Sequence, residues 1–413
     1  MPSRSSLLAS QSAPTLVLLC LGFNLRLGIT GASPLLGELQ ADGALSPLSA
    51  TVVTSAPVFV FAIAGLAVLP LLGRWGIRTT MTAALSLLTL GLAVRAVPHE
   101  IAIVAGTICA AAGISAVNII LPALVREWCA GRTHRATTGY TSAMALGAAV
   151  AAAIALPMAR IFGLPTVGLA IWALPSLAAG VLWISLTRSQ SQSALALPLK
   201  RSGSPTRDRA AASGANLGWP RGTFPMLGFF ALQTVLSYTI IGWLPLIAAD
   251  GGIDDRRAGV MLGIVMAVGI PSTALAVPAA ARHATRVLGI TITTACAVAG
   301  ATGLLSAPTA APEAWAVLLG IGMSGFPFAL ALLSSIGEDH VQVARVSALT
   351  QVVGYFLGGI GSLSAGWVAA SSGAWSSVIA VMILGALTQG TLGVALSIAL
   401  RPARRRPRPR PRR

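Results

Sequence analysis

The sequence predicts an all-α membrane protein of twelve transmembrane helices in two six-helix, pseudo-symmetric bundles. Three observations lead there. The 413 residues are 55% hydrophobic and only 9% charged, with a mean hydropathy of +0.81, whereas charged residues make up about a quarter of a soluble domain. Apolar runs of the length a bilayer crossing needs, about 20 residues, recur along the whole chain. One polar stretch near the middle divides them six and six.

The runs fall near 15–37, 48–72, 79–97, 101–125, 137–160 and 163–187, and then near 223–248, 257–281, 287–306, 311–335, 344–370 and 375–400. Prolines punctuate several of them (Pro34, Pro57, Pro122, Pro157, Pro245, Pro271, Pro327), which membrane helices tolerate where neighbours re-satisfy the backbone. A β-barrel would instead show short alternating segments. The domain plan is therefore a first bundle over 1–188, a linker over 189–222 rich in Ser, Gly and Pro, a second bundle over 223–400, and a basic tail over 401–413. The first apolar run lacks a small-residue cleavage site at the usual place and reads as a retained helix.

Lys and Arg counts set the expected orientation, because short cytoplasmic loops carry the excess. With the N-terminus inside, the inner segments hold all of the 28 Lys and Arg except Arg26 and the outer Arg95, Arg160, Arg256 and Arg257. Both termini are expected in the cytoplasm and the chain in the inner or plasma membrane. The tail RPARRRPRPRPRR, beside a last helix, reads as a topology signal or a contact with anionic lipid headgroups rather than a nucleic-acid arm. Cys20, Cys109, Cys129 and Cys296 have no metal-ligand spacing and read as apolar filler; neither a metal nor a cofactor is expected. The chain is expected to act as a monomer.

The halves echo each other. Pro70, Arg74 and Arg78 follow the second span at intervals of four, and Pro278, Arg282 and Arg286 follow the eighth in the same way. Duplicated six-helix halves are the layout of transporters that rock two bundles about a site near the midplane. The stretch GRWGIR fills the place of the Gly-x-x-x-Asp-Arg-x-Gly-Arg-Arg loop of the major facilitator superfamily. It keeps Gly73, Arg74, Gly76 and Arg78 and lacks the aspartate. Further stretches carry a closer likeness: FNLRLGITGASPLL, NIILPALVREW, TTGYTSAMALGAA, LQTVLSYTIIGWLPLIAADGG, GFPFALALLSS and SALTQVVGYFLGGIGSL. In these the chain resembles the cyanate and 2-nitroimidazole transporter family of that superfamily. The resemblance implies the major facilitator fold, movement of a small polar or anionic solute, and an inner gate at Arg74, Arg78, Arg282 and Arg286.

Arg26 is the residue that most needs explaining. It sits near the middle of the first span, where an arginine costs about 2.5 to 3.5 kcal/mol on insertion scales and nearly always faces a bundle interior or cavity. All eleven acids, Glu38, Asp42, Glu100, Glu127, Asp208, Asp250, Asp254, Asp255, Glu313, Glu338 and Asp339, fall at helix ends or in loops. A guanidinium keeps its charge, so Arg26 either meets a visiting anion, for which its planar fork is suited, or hydrogen-bonds carbonyls at a helix break near Gly28 and Gly31. Thr30, one turn on, shares whichever role applies. The other candidate site residues are Asn118, Gln233, Tyr238, Gln351 and Tyr355, polar groups able to orient a solute in an apolar pocket; each could equally serve an interhelical hydrogen bond.

Proton coupling has no obvious carrier, since His99, His134, His283 and His340 are all in loops; a loop-edge acid such as Glu38 or Glu127 is one route, uniport or exchange the other. An enzyme would need a nucleophile and base, or a metal cluster, inside the spans, and none is there. An exporter of drugs or other organic compounds on the same fold is the alternative reading. The partners expected are thus a small solute, possibly a monoanion, and membrane lipid.

Overall fold

A computed structural model of the protein describes residues 4–129, 132–188, 219–333, 336 and 340–400. Most of the expected linker, 189–218, and the tail 401–413 lie outside the described residues. The first half comprises α1 (Arg4–Thr30), α2 (Leu36–Ala41), α3 (Pro47–Val94), α4 (Glu100–Trp128), α5 (Thr133–Phe162), α6 (Pro165–Ala170) and α7 (Ala173–Thr187). The second comprises α8 (Thr223–Asp250), α9 (Asp255–Ala281), α10 (His283–Ser306), α11 (Pro312–Met323), α12 (Gly325–Leu333), α13 (His340–Ser372) and α14 (Ser376–Ala399). Eleven stretches among the described residues are long and apolar enough to cross a bilayer, and the shorter apolar helix Pro47–Ile63 stands where the second span is expected.

Local chemistry explains the boundaries. Ser46 caps α3, accepting from Ser49 N at 3.2 Å, with Pro47 opening the helix, where a missing N–H costs nothing. Asp254 caps α9 by accepting from the N–H groups of Arg256 and Arg257. The second and third spans are one 48-residue helical stretch broken at Gly76, whose φ of 74° is a conformation glycine adopts without a Cβ penalty.

Two of the spans are broken in places that matter. The first span runs from Pro14 to Ala41, but α1 stops at Thr30, a 3-10 turn covers Ser33–Leu35, and α2 finishes the crossing. The tenth span, Pro312–Leu333, is interrupted at Ser324, where α11 gives way to α12.

The halves meet from mid-depth to the end of the bundle remote from the termini. Ser33 Oγ donates to Gly242 O at 2.7 Å, and Phe59 packs edge-on against Phe356 with centroids 5.5 Å apart. A Cβ on Gly259 would lie 3.1 Å from Ala152 O, and one on Gly263 would lie 3.2 Å from Ala149 O, so α9 and α5 are in close backbone contact there. Arg160 at the end of α5 reaches Glu38 at 3.0 Å and, across the halves, Asp255 at 3.9 Å.

Candidate functional site

The site is built from three helices that bring charge and aromatic surface together at mid-depth. α1 carries Arg26 half-buried, and among the described residues no hydrogen bond or ion pair engages its guanidinium. α8 and α13, from the other half, carry Tyr238 and Tyr355. Their rings lie 6.4 Å apart at 72°, and Arg26 is close enough for its charge to act on both phenol groups. Arg26 therefore faces the opposite bundle.

An aromatic wall stands behind Tyr355. Phe230 meets it edge-on at 5.8 Å, Phe326 lies 6.3 Å away, and Phe230 and Phe326 are 5.4 Å apart. Tyr355 also packs against both buried apolar clusters of the protein. Gly354 makes this possible, because a Cβ there would fall 2.3 Å from the Phe230 ring. Such ring pairs are each worth about 0.5 to 1.5 kcal/mol beyond area burial, so the wall holds Tyr355 in one orientation.

The remaining sequence candidates divide. Gln351, one turn before Tyr355, is half-buried and without a side-chain partner among the described residues. Asn118 is exposed, off the buried stripe of Ile114, Val117, Leu121 and Leu124, and nothing ties it to Arg26. Thr30 is fully buried and donates from Oγ1 to Arg26 O at 2.8 Å, so its hydroxyl serves its own helix. Gln233 does not join the cluster: it is 2% exposed, donates to Ser237 Oγ at 3.0 Å and accepts from Gln389 Nε2. The reason is helical phase, since five residues separate it from Tyr238 by about 140° around α8. Gln233→Leu should accordingly lower thermal stability in detergent, by roughly 1 to 3 kcal/mol for the unpaired Gln389 amide, while the half-saturation for solute stays unchanged. A shifted half-saturation at full stability would put Gln233 back in the site.

The four arginines expected at an inner gate are also unequal. Arg74 is exposed and Arg78 half-buried on either side of the Gly76 break, and Arg282 is exposed. Arg286 is 4% exposed and donates from Nε to Ala280 O at 2.9 Å, closing the end of α9 rather than standing free. No hydrogen bond or ion pair joins the two pairs among the described residues.

One group escaped sequence reasoning, and one acid already weighed for coupling is more buried than its loop-edge position implied. Arg95, expected in an outer loop, is fully buried, and its Nη1 donates to Gly28 O at 2.8 Å. Glu127, just past the fourth span, has a buried Oε2 without a partner, and desolvation raises its carboxyl above the ordinary range. No cluster of His, Cys, Asp or Glu able to hold a metal occurs among the described residues.

The Major Facilitator Superfamily profile matches residues 18–362. The chain is 30% identical over 365 residues to a 2-nitroimidazole transporter of Escherichia coli, covering 87% of this chain and 88% of that one. It is 26% identical over 369 residues to the cyanate transport protein CynX of the same organism, covering 87% and 90%. Among solved structures the nucleoside transporter NupG superposes with a TM-score of 0.65 over 94% of this chain and 100% of that one, at 14% identity, which speaks for the fold alone. A family profile over most of the chain, relatives that are transporters, and a bundle of this architecture agree: the chain belongs to the major facilitator superfamily, in its cyanate and 2-nitroimidazole transporter family, and is a multi-pass secondary transporter rather than an enzyme.

Proposed function

We propose that the protein moves a small anion, or a compact planar polar molecule, by alternating access, with Arg26 as the central solute-binding charge and Tyr238, Tyr355 and Gln351 completing the site. The observation that carries this reading is the unpaired guanidinium of Arg26 held opposite two tyrosines of the other half. A cation at that place meets repulsion of about 4 kcal/mol at 4 Å with an effective dielectric constant near 20, and no carboxylate among the described residues pairs with Arg26 to offset it. That disfavours a cationic-drug exporter on the same fold. With both termini in the cytoplasm, as the Lys and Arg distribution indicates, the contacts between the halves described above close the outer side.

The test compares cyanate, 2-nitroimidazole, a small carboxylate and an organic cation by thermal shift in detergent and by uptake into proteoliposomes. Stabilisation and uptake of an anion or of the planar heterocycle, with none for the cation, is the expected result. Preferential stabilisation by the cation overturns the reading. Repeating the uptake with a pH gradient, in the parent and in Glu127→Gln, separates proton symport through Glu127 from uniport or exchange.

A further inference from the structure

The break in the first span leaves a backbone carbonyl that the helix itself does not use. In a continuing helix the N–H of Ala32 would take Gly28 O; instead it donates to Ile29 O at 3.3 Å, and Gly31 N donates to Leu27 O. Gly28 O is buried in an apolar bundle, where an unmet carbonyl is costly. Arg95 fills the vacancy. Its side chain runs inward from the end of α3 past Gly106, where a Cβ would strike Arg95 Cγ at 2.9 Å, and reaches Gly28 O at 2.8 Å. A guanidinium at a helix C-terminus also complements the helix dipole. Its Nε and Nη2 are buried without partners, so this single contact holds an otherwise unsatisfied charge.

Gly28 lies two residues after Arg26 and about 200° around the helix. The same short piece of α1 thus presents Arg26 to the other half and is fastened from behind by Arg95. Since the Arg26 guanidinium has no partner of its own, its place is set by the backbone that carries it.

We propose that Arg95 is a positioning residue for transport, fixing the broken end of α1 through Gly28 O and thereby the place of Arg26. The proposal rests on the reading of Arg26 as the solute's charge, but its test does not need the solute. In a background with Cys20, Cys109, Cys129 and Cys296 replaced by serine, Arg26→Cys is labelled with a methanethiosulfonate reagent in three partners: parental Arg95, Arg95→Lys and Arg95→Met. Lysine keeps a charged donor and methionine keeps only bulk. The expected result is a labelling rate changed by about fivefold or more in Arg95→Met and restored to within about twofold by Arg95→Lys, as loss and retention of a charged hydrogen bond imply. Should Arg95→Met not yield monodisperse protein, Arg95→Gln, a neutral donor, takes its place with an intermediate change expected. Equal rates in all folded variants overturn the proposal, and so does a lysine effect as large as that of methionine, which would mark mere packing. Normal transport by Arg26→Ala would refute the solute role of Arg26 and leave these labelling rates untouched.

Discussion

Arg26→Ala loses transport by about a hundredfold or more while inserting and folding as well as the parent. Two charge-assisted hydrogen bonds from a guanidinium fork, each worth about 1.5 to 3 kcal/mol, amount to at least a hundredfold in solute affinity, since each 1.4 kcal/mol is about tenfold. The fold has no corresponding stake in the side chain, because no described residue bonds to the Arg26 guanidinium. Removing the charge also relieves the insertion cost of about 2.5 to 3.5 kcal/mol, so expression and thermal stability hold or rise. Arg26→Lys recovers only part of the activity, since a point charge copies a planar fork poorly. Initial uptake rates in proteoliposomes, set beside melting temperatures, decide. Full transport by the alanine variant would sink the assignment; loss of stability together with activity would return Arg26 to a structural role.

Gly263→Leu should drive the protein away from the closed arrangement at the end remote from the termini. Two of the contacts between the halves there differ in size. The Arg160–Asp255 pair is long, 3.9 Å, with both side chains about half exposed, and exposed pairs contribute about 0.2 to 1 kcal/mol. Asp255→Asn should therefore shift the conformational balance fivefold at most, in line with about 1 kcal/mol. The α9 and α5 backbones, by contrast, approach so closely at Gly263 that a Cβ would sit 3.2 Å from Ala149 O and from Ala153 Cβ. A leucine in such a contact costs about 1 to 3 kcal/mol or more, and that cost falls only on the closed form. Spin labels at Ala41 and Ala310, exposed positions on that face in opposite halves, should separate in Gly263→Leu far more than in Asp255→Asn. An unchanged distance in the leucine variant would mean that this contact does not close the face.

The halves, the helix count and the place of Arg26 were legible because membrane insertion writes them locally: run length, hydropathy and the position of one charge suffice. Tyr238 and Tyr355 were legible by residue type, being tyrosines in the middle of apolar helices. Gln233 was not separable from them, because its direction depends on how α8 is rotated against α14, and Gln389 decides that from 156 residues away. Arg95 was hidden for a related reason. It follows Val94 as a loop arginine would, and only the clearance at Gly106, together with the free carbonyl at Gly28, draws it inside. Thr30 was expected to share the role of Arg26 one turn away, but burial turned its hydroxyl onto the Arg26 carbonyl.

The pairing of Arg26 with Tyr238 and Tyr355 bears on how the chain is made. Arg26 leaves the ribosome well before Tyr355, which follows roughly 330 residues later, a delay of about 15 to 65 s at ordinary elongation rates. Throughout that interval the guanidinium is in or beside the bilayer without the second half that will face it. The nascent first half must therefore hold Arg26 against water, headgroups or the insertion machinery until the helix that carries Tyr355 has been translated.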